Sequence, residues 1–260
     1  HTKVIMFIKK IIKNFFSLCG YEINKKNLEI KNLSFDEIYK LKIKSNPVIF
    51  DVGANQGQSI ERFKKIFKNP IIHAFEPIEF EFKKLKEKYR NDKNIILNNC
   101  AAGEKDQSKD FYITAKTGNS SFNKLRANTD WLKVRSKQFN TSEEGYTKEI
   151  KSTKVITLDN YCSQNNIKKI DILKIDTQGY EDKVLQGSQE ILKKEIVYSV
   201  ESEIMLDDVY EKYFTFNDLE KFLVPNNYRL VGINMTNNNL FSGIVFFADI
   251  LYFNKKKFNI

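Results

Sequence analysis

The 260-residue chain has little of several residue types that mark functional classes. It has three cysteines, Cys19, Cys100 and Cys162, far apart and with no C-x-x-C spacing. That excludes a disulfide framework and a cysteine zinc site, and it fits a reducing cytoplasm. Of the two histidines, His1 stands where an initiator methionine is expected and reads as a tag remnant. His73 is then the one native histidine, which limits the choice of a general base. Only five of the 43 basic residues are arginine (62, 90, 126, 135, 229). Lysine lacks the bidentate fork that reads base edges and clamps phosphates, so a net charge of +10 is weak support for a nucleic-acid partner. No run of eighteen apolar residues exists, and no membrane-spanning helix is expected.

What is present suits a packed fold: 41% hydrophobic and 13% aromatic residues exclude global disorder. A mass of 30.5 kDa suits one domain with appendages. The charge sits in the appendages. Residues 1–46 hold ten lysines against four acids, and Lys255–Lys257 follow near the end, so 47–254 is almost neutral. Residues 1–46 read as an N-terminal helical extension and 255–260 as a basic tail, suited to an anionic acceptor, a partner subunit or a membrane surface. Within the extension, Ile5, Ile8, Ile12, Phe15 and Cys19 recur at helical steps opposite Lys9, Lys10 and Lys13, and Gly20 stops the pattern. This amphipathic helix over 4–19 packs on the domain or lies on a membrane surface.

From Pro47 onward, short apolar runs alternate with amphipathic stretches. Strands are expected at 48–51, 71–75, 95–97, 170–175 and 196–200, with helices at 59–67, 180–192 and 216–223. Arg229–Ile233 and Ile244–Phe253 read as a closing hairpin across an Asn-rich loop. The alternation predicts a doubly wound, mostly parallel α/β sheet with an antiparallel addition. Residues 103–150 read as an irregular insertion, a substrate loop or lid.

Three segments carry the chemistry. Asp51-Val-Gly53-Ala-Asn55-Gln-Gly57-Gln-Ser59 follows the first strand and opens a helix. Its glycines permit a sharp turn and close backbone approach, as a cofactor loop or an ordinary strand–helix turn requires. The spacing is not the G-x-G-x-x-G of dinucleotide enzymes. The second strand ends at Glu76, placed to accept both hydroxyls of a ribose. The strand at 170–175 ends at Asp176, followed by Gln178 and Gly179, and Glu201 is expected to end the next strand. In open α/β sheets the ligand crevice lies beyond these strand ends. Asp176 and Glu201 then serve as base and positioner or hold a divalent metal such as Mg²⁺. Alternatively, Asp176 caps the helix that follows.

DVGANQGQS, HAFEP, NCAAGE (99–104), VITLDNY (155–161) and ILKIDTQGYEDKVLQGS (172–188) occur in this order, followed by Asn227-Tyr-Arg-Leu230. Together they resemble the FkbM family of S-adenosylmethionine-dependent methyltransferases over roughly 47–253. The resemblance implies a class I methyltransferase (Rossmann-like) seven-stranded sheet and O-methylation, often of a sugar hydroxyl on a polysaccharide, a lipid-linked glycan or a natural product. It assigns Asp51, Gly53, Asn55, Gly57 and Ser59 to the methionine part of the cofactor and Glu76 to the ribose. Asn99, Cys100 and Ala101 are assigned near the adenine, and Asp176 facing the sulfonium and the acceptor. Ser120 and Ser121 match a serine pair of the family's central loop and are expected to meet substrate with Gln178. Asn55 stands where many methyltransferases outside the family have glycine.

The expected activity is thus methylation of a nucleotide-activated sugar or surface polysaccharide by a cytoplasmic enzyme, at the inner face of the membrane if helix 4–19 binds there. A phosphate-derived or lipid-linked acceptor and a nicotinamide-dependent sugar oxidoreductase are the competing readings. Nucleic acid is not an expected partner, since the Asn/Asp-Pro-Pro-aromatic loop used on base amines is missing. Homo-oligomerisation stays open.

Overall fold

The computed structural model describes residues 33–44, 46–235 and 243–258, with Ile12. Contacts divide the chain into two units, 1–33 and 34–260, and the elements below belong to the second. Apart from Ile12, the helix expected at 4–19 lies outside the described residues, as does 236–242 of the hairpin loop. Among the described residues no helix is long and apolar enough to cross a membrane.

The core is a seven-stranded sheet. Its strands are β1 (Val48–Val52), β2 (Ile71–Phe75), β3 (Ile95–Asn98), β7 (Ile170–Ile175), β8 (Val197–Met205), β9 (Tyr228–Met235) and β10 (Phe247–Asn254). Their order is β3-β2-β1-β7-β8-β10-β9. The first five are parallel, and β10 runs antiparallel to β8 and β9. The closing strand therefore enters between β8 and the edge strand β9. β1 and β7 read as near-continuous apolar runs because helices cover both faces of a parallel sheet. One face is covered by α1 (Phe35–Lys42) and α2 (Gln58–Ile66), where Tyr39, Ile60 and Phe63 are buried. A third helix, α3 (Glu79–Lys88), connects β2 to β3. Strand order reverses at β1/β7, since β1 leads on to β2 on one side while β7 leads on to β8 on the other. Ligands bind at such a switch point, beyond the carboxyl ends of the strands.

The irregular stretch expected at 103–150 needs correcting. β5 (Gln107–Thr114) and β6 (Thr147–Ile156) form a long antiparallel ladder, which β4 (Ala101–Ala102) extends as a second sheet of order β4-β6-β5. Between them lie a 3₁₀ turn at Thr117–Asn119 and α4 (Asp130–Gln138). The ladder is thinly apolar. Phe111, Ile113 and Val155 pack against Phe122 and Tyr180 while lysines and acids face outward, so composition hid the strands. Trp131 of α4 joins Tyr146, Met205 and Tyr210 in a separate buried cluster. The basic tail folds back on the domain: Lys256 Nζ lies 2.7 Å from Glu195, and the Lys257 ammonium donates to the Glu195 carbonyl.

Candidate active site

The ends of β1, β2 and β7 are stitched together by backbone. The Gly53 and Ala54 amides donate to the Phe75 carbonyl at 3.0 and 3.1 Å, and the Asp176 amide donates to that of Val52 at 2.9 Å. This closeness dictates Gly53. Its φ is +92°, and a Cβ there would lie 2.0 Å from the Asp176 carbonyl oxygen. Gly57, φ +82°, turns the chain into α2 with no side-chain cap on the helix, so first-turn N–H groups have no capping side chain. Asn55 adopts φ +45° without being glycine, and such backbone strain clusters at ligand sites.

Glu76 closes the loop from below. Its carboxylate accepts from the backbone N–H of Asn55 and of Ile78, each at 2.7 Å. It is 3% exposed. Burial pushes its pKa up to about 7, against the two amides, which pull it down. Asn99 Nδ2 donates to the Glu76 carbonyl at 2.9 Å and supports this segment from behind.

Asp176 reaches into the cleft with a side chain 33% exposed. Its carboxylate accepts from Lys174 Nζ at 3.1 Å and from Gln178 Nε2 at 3.0 Å. Burial would push it up, but the Lys174 ammonium and these hydrogen bonds outweigh burial and hold it below the usual carboxylate range. The same Gln178 Nε2 donates to Glu203 at 2.5 Å, and the Gln178 side-chain oxygen Oε1 accepts from the Tyr210 hydroxyl at 3.1 Å. Burial and the neighbouring Asp176 charge push Glu203 well up, so Asp176 carries the charge of this bridged pair.

The strand ends open on a cavity of about 520 Å³. Of the residues expected from sequence, Gly53, Asn55, Ser59, Glu76, Ala101, Ser120, Asp176 and Gln178 line it. Asp51, Gly57, Asn99, Cys100, Ser121 and Glu201 do not. Cys100 is buried, with its thiol pushed up to about 11 by burial. The Ser121 hydroxyl donates to the Gln178 carbonyl at 2.8 Å and accepts from the Asn123 amide at 3.0 Å, so it fixes the loop beneath the cleft. Ser120 Oγ accepts from the Thr114 amide. His73 is buried, 2.8 Å from the Tyr161 hydroxyl and stacked near Phe50, with its pKa lowered by burial.

The expectation for Glu201 is corrected most clearly. β8 runs on to Met205, so Glu201 is mid-strand and not at its end. It is 2% exposed and bound by Arg62 at 2.5 Å and Tyr39 at 2.7 Å. Two residues on, Glu203 takes the cleft position. Sequence reasoning missed it, although both belong to Glu201-Ser-Glu203 and alternate onto the same face. Register aligns Asp51, Lys174 and Glu201 across β1, β7 and β8, a charged row under the cleft. Asp51 is wholly buried, with both carboxylate oxygens lacking a hydrogen-bond partner. Burial pushes it up to about 6 despite Lys174. Among the described residues no group of three His, Cys, Asp or Glu is arranged to hold a metal ion, and Asp176 and Glu201 have separate surroundings, so the Mg²⁺ expectation has no support.

The profile described as the methyltransferase FkbM domain matches residues 51–230. The 2-O-methyltransferase NoeI of Sinorhizobium fredii (strain NBRC 101917 / NGR234) is 26% identical over 160 residues, which cover 61% of this chain and 64% of that protein. Among solved structures, the methyltransferase FkbM from Methylobacillus flagellatus KT matches with a TM-score of 0.52 and 14% identity, over 81% of this chain and 44% of that one. The chain thus spans just under two thirds of the curated relative and under half of the solved one.

Proposed function

This chain belongs to the FkbM methyltransferase family, and from that premise we propose that it is an S-adenosylmethionine-dependent O-methyltransferase acting on a sugar hydroxyl. One observation carries the reading: the ionised Asp176, open to the cleft, abuts the Gly53 turn at the switch point. A donor site and an acceptor base meet there.

The residues fit the donor. The Gly53–Ser59 turn and the uncapped start of α2 offer backbone to the methionine part. Glu76 presents a carboxylate, already fixed by two amides, to a pair of ribose hydroxyls. Ala101, Pro77 and Ile78 supply an apolar wall for the base. Bound there, S-adenosylmethionine supplies an electrophilic methyl group.

The chain's own residues do the rest. A sugar hydroxyl holds its proton tightly; Asp176 would accept that proton, while the oxygen would take the methyl group of a bound donor and leave the sulfur as a neutral thioether. Lys174 keeps Asp176 ionised. Gln178, pinned by Tyr210 and Ser121, orients the carboxylate, and holding the acceptor in line supplies much of the remaining acceleration. The sugar preference is supported by NoeI, named a 2-O-methyltransferase, at 26% identity.

The test is a mass-spectrometric screen of sugar acceptors for the gain of one methylene, with Asp176→Asn as comparison. The variant is expected to keep S-adenosylhomocysteine affinity and lose about 10²-fold or more in turnover. Full turnover in the variant refutes the base assignment, and failure of the parent protein to bind S-adenosylhomocysteine refutes the whole reading.

A further inference from the structure

Two cations enter the cleft from the insertion, and among the described residues neither makes an ion pair. Lys116 and Arg135 both line the cavity, alongside Asp176, Gln178 and Glu203. Among the described residues neither lies within ion-pair distance of a carboxylate. The Arg135 guanidinium stacks over Trp131 at 5.6 Å and donates once, to Gln138 at 3.0 Å. Its Nε is buried with no hydrogen-bond partner. Burial and then the Arg135 charge depress Lys116, outweighing the attraction of Glu203 and Asp176, and burial depresses Arg135. Both cations thus line one cavity, Arg135 half-buried and Lys116 more open, and the Arg135 charge disfavours a second cation at Lys116.

The nearby acids do not resolve this. The Asp176 charge is answered by Lys174 at 3.1 Å, and Glu203 shares the bridging Gln178 with Asp176. The acceptor half of the cleft is therefore cationic in effect, with an aromatic lining from Phe111, Phe122 and Phe247. A buried donor left without a partner carries a cost that a ligand oxygen removes, and a guanidinium fork matches planar oxyanions.

Building on the sugar O-methylation reading, we propose that Lys116 and Arg135 form an anion clamp, and that the acceptor sugar carries an oxyanion, a uronate carboxylate or a phosphate ester. The clamp fixes which hydroxyl of the sugar faces Asp176, so it sets acceptor specificity.

Calorimetric titrations of the S-adenosylhomocysteine-saturated protein test this with methyl glucuronide, glucose 1-phosphate and neutral methyl glucoside. At least one anionic sugar is expected to bind about tenfold or more tightly than the neutral one, and which one binds identifies the oxyanion. Arg135→Gln and Lys116→Gln should each remove most of that preference, with S-adenosylhomocysteine affinity changed less than about twofold. Arg135→Lys keeps the charge but loses the fork and should recover only part of the affinity; thermal unfolding confirms that each variant is folded. Equal binding of the neutral sugar, no binding of either anion, or unchanged anion affinity in the variants overturns the clamp. So does a tenfold loss of S-adenosylhomocysteine affinity with anion binding intact, which would assign the cations to the donor's carboxylate. If S-adenosylhomocysteine fails to bind at all, the methyltransferase reading fails, and titrating the ligand-free protein with the same sugars still decides the clamp.

Discussion

Cofactor affinity should depend on pH through Glu76. In the free protein its carboxyl is pushed up to about 7 by burial, and only the ionised form accepts hydrogen bonds from both ribose hydroxyls. At pH 6 about one molecule in ten is then competent and at pH 8 about nine in ten, so the dissociation constant for S-adenosylhomocysteine should fall about tenfold over that interval. Binding should release close to one proton at about pH 6 and almost none at about pH 8. Calorimetry in buffers of different ionisation enthalpy reads both. Glu76→Gln should flatten the dependence and weaken binding by a few kcal/mol at about pH 8, given ~1.5–3 kcal/mol per charged hydrogen bond. Asp51 and Glu181 also titrate, near 6 and near 7, but neither lines the cleft and their contribution persists in the variant.

The raised pKa of Glu76 has a consequence for stability as well. The folded value lies above the unfolded one of 4.5, so the contribution is fully present below that value and is lost as pH rises through about 7. The free protein should lose about 2.5 kcal/mol from this group between pH 5 and 8, because each tenfold change in proton affinity is worth ~1.4 kcal/mol. Glu76→Gln should reduce that slope. An affinity independent of pH between 6 and 8, or a slope that survives Glu76→Gln intact, refutes the ribose role and the burial argument together.

Other perturbations separate the parts of the site. Gly53→Ala puts a methyl group 2.0 Å from the Asp176 carbonyl at φ +92°; it should cost at least about 3 kcal/mol in urea unfolding and abolish S-adenosylhomocysteine binding. Lys174→Met removes the cation among Asp51, Asp176 and Glu201. A loss of about 3–5 kcal/mol is expected near neutral pH, smaller at about pH 5, because the raised carboxyls are protonated there; equal losses at both pH values would contradict the charge argument. Glu201→Gln should lower the unfolding free energy by about 3 kcal/mol through Arg62 and Tyr39, while turnover per folded molecule stays near that of the parent, in contrast to Asp176→Asn.

The parallel strands were legible because strands buried on both faces read as mostly apolar runs, broken only by single polar residues such as Asp51 and Lys174. Gly53, Glu76 and Asp176 were legible because each directly follows such a run. Glu201 misled because the strand end is set by pairing: β10 holds β8 as far as Met205, beyond the apolar segment that suggested a strand of 196–200. The β5–β6 ladder was hidden by its own chemistry, with Lys, Glu, Ser and Thr on nearly every outward position and few buried residues inward. Lys116 and Arg135 gave no signal at all. A lone cation in a polar stretch resembles a solvated surface until the fold supplies the Trp131 platform and the cleft. Asn99 and Ser121 likewise act through carbonyls distant in sequence, at Glu76 and Gln178, contacts that no periodicity encodes.

The charged row beneath the cleft calls for an explanation other than stability. An apolar row of similar volume is often as stable as a buried ion network or more so, and here acids outnumber cations. Asp51 and Asp249 are pushed up to about 6, each by burial first, and Glu203 is pushed up further. Lys174, 7% exposed, stands among them and donates to Asp176. The result is selective: Asp176 is held ionised, while Asp51, Asp249 and Glu203 are biased toward the neutral form. Removing Asp51 should therefore leave Lys174 answering Asp176 more fully and lower the pKa of that carboxyl, whereas an apolar row would take away the ammonium that favours its ionised form. The row is accounted for by the charge it keeps on one residue at the switch point.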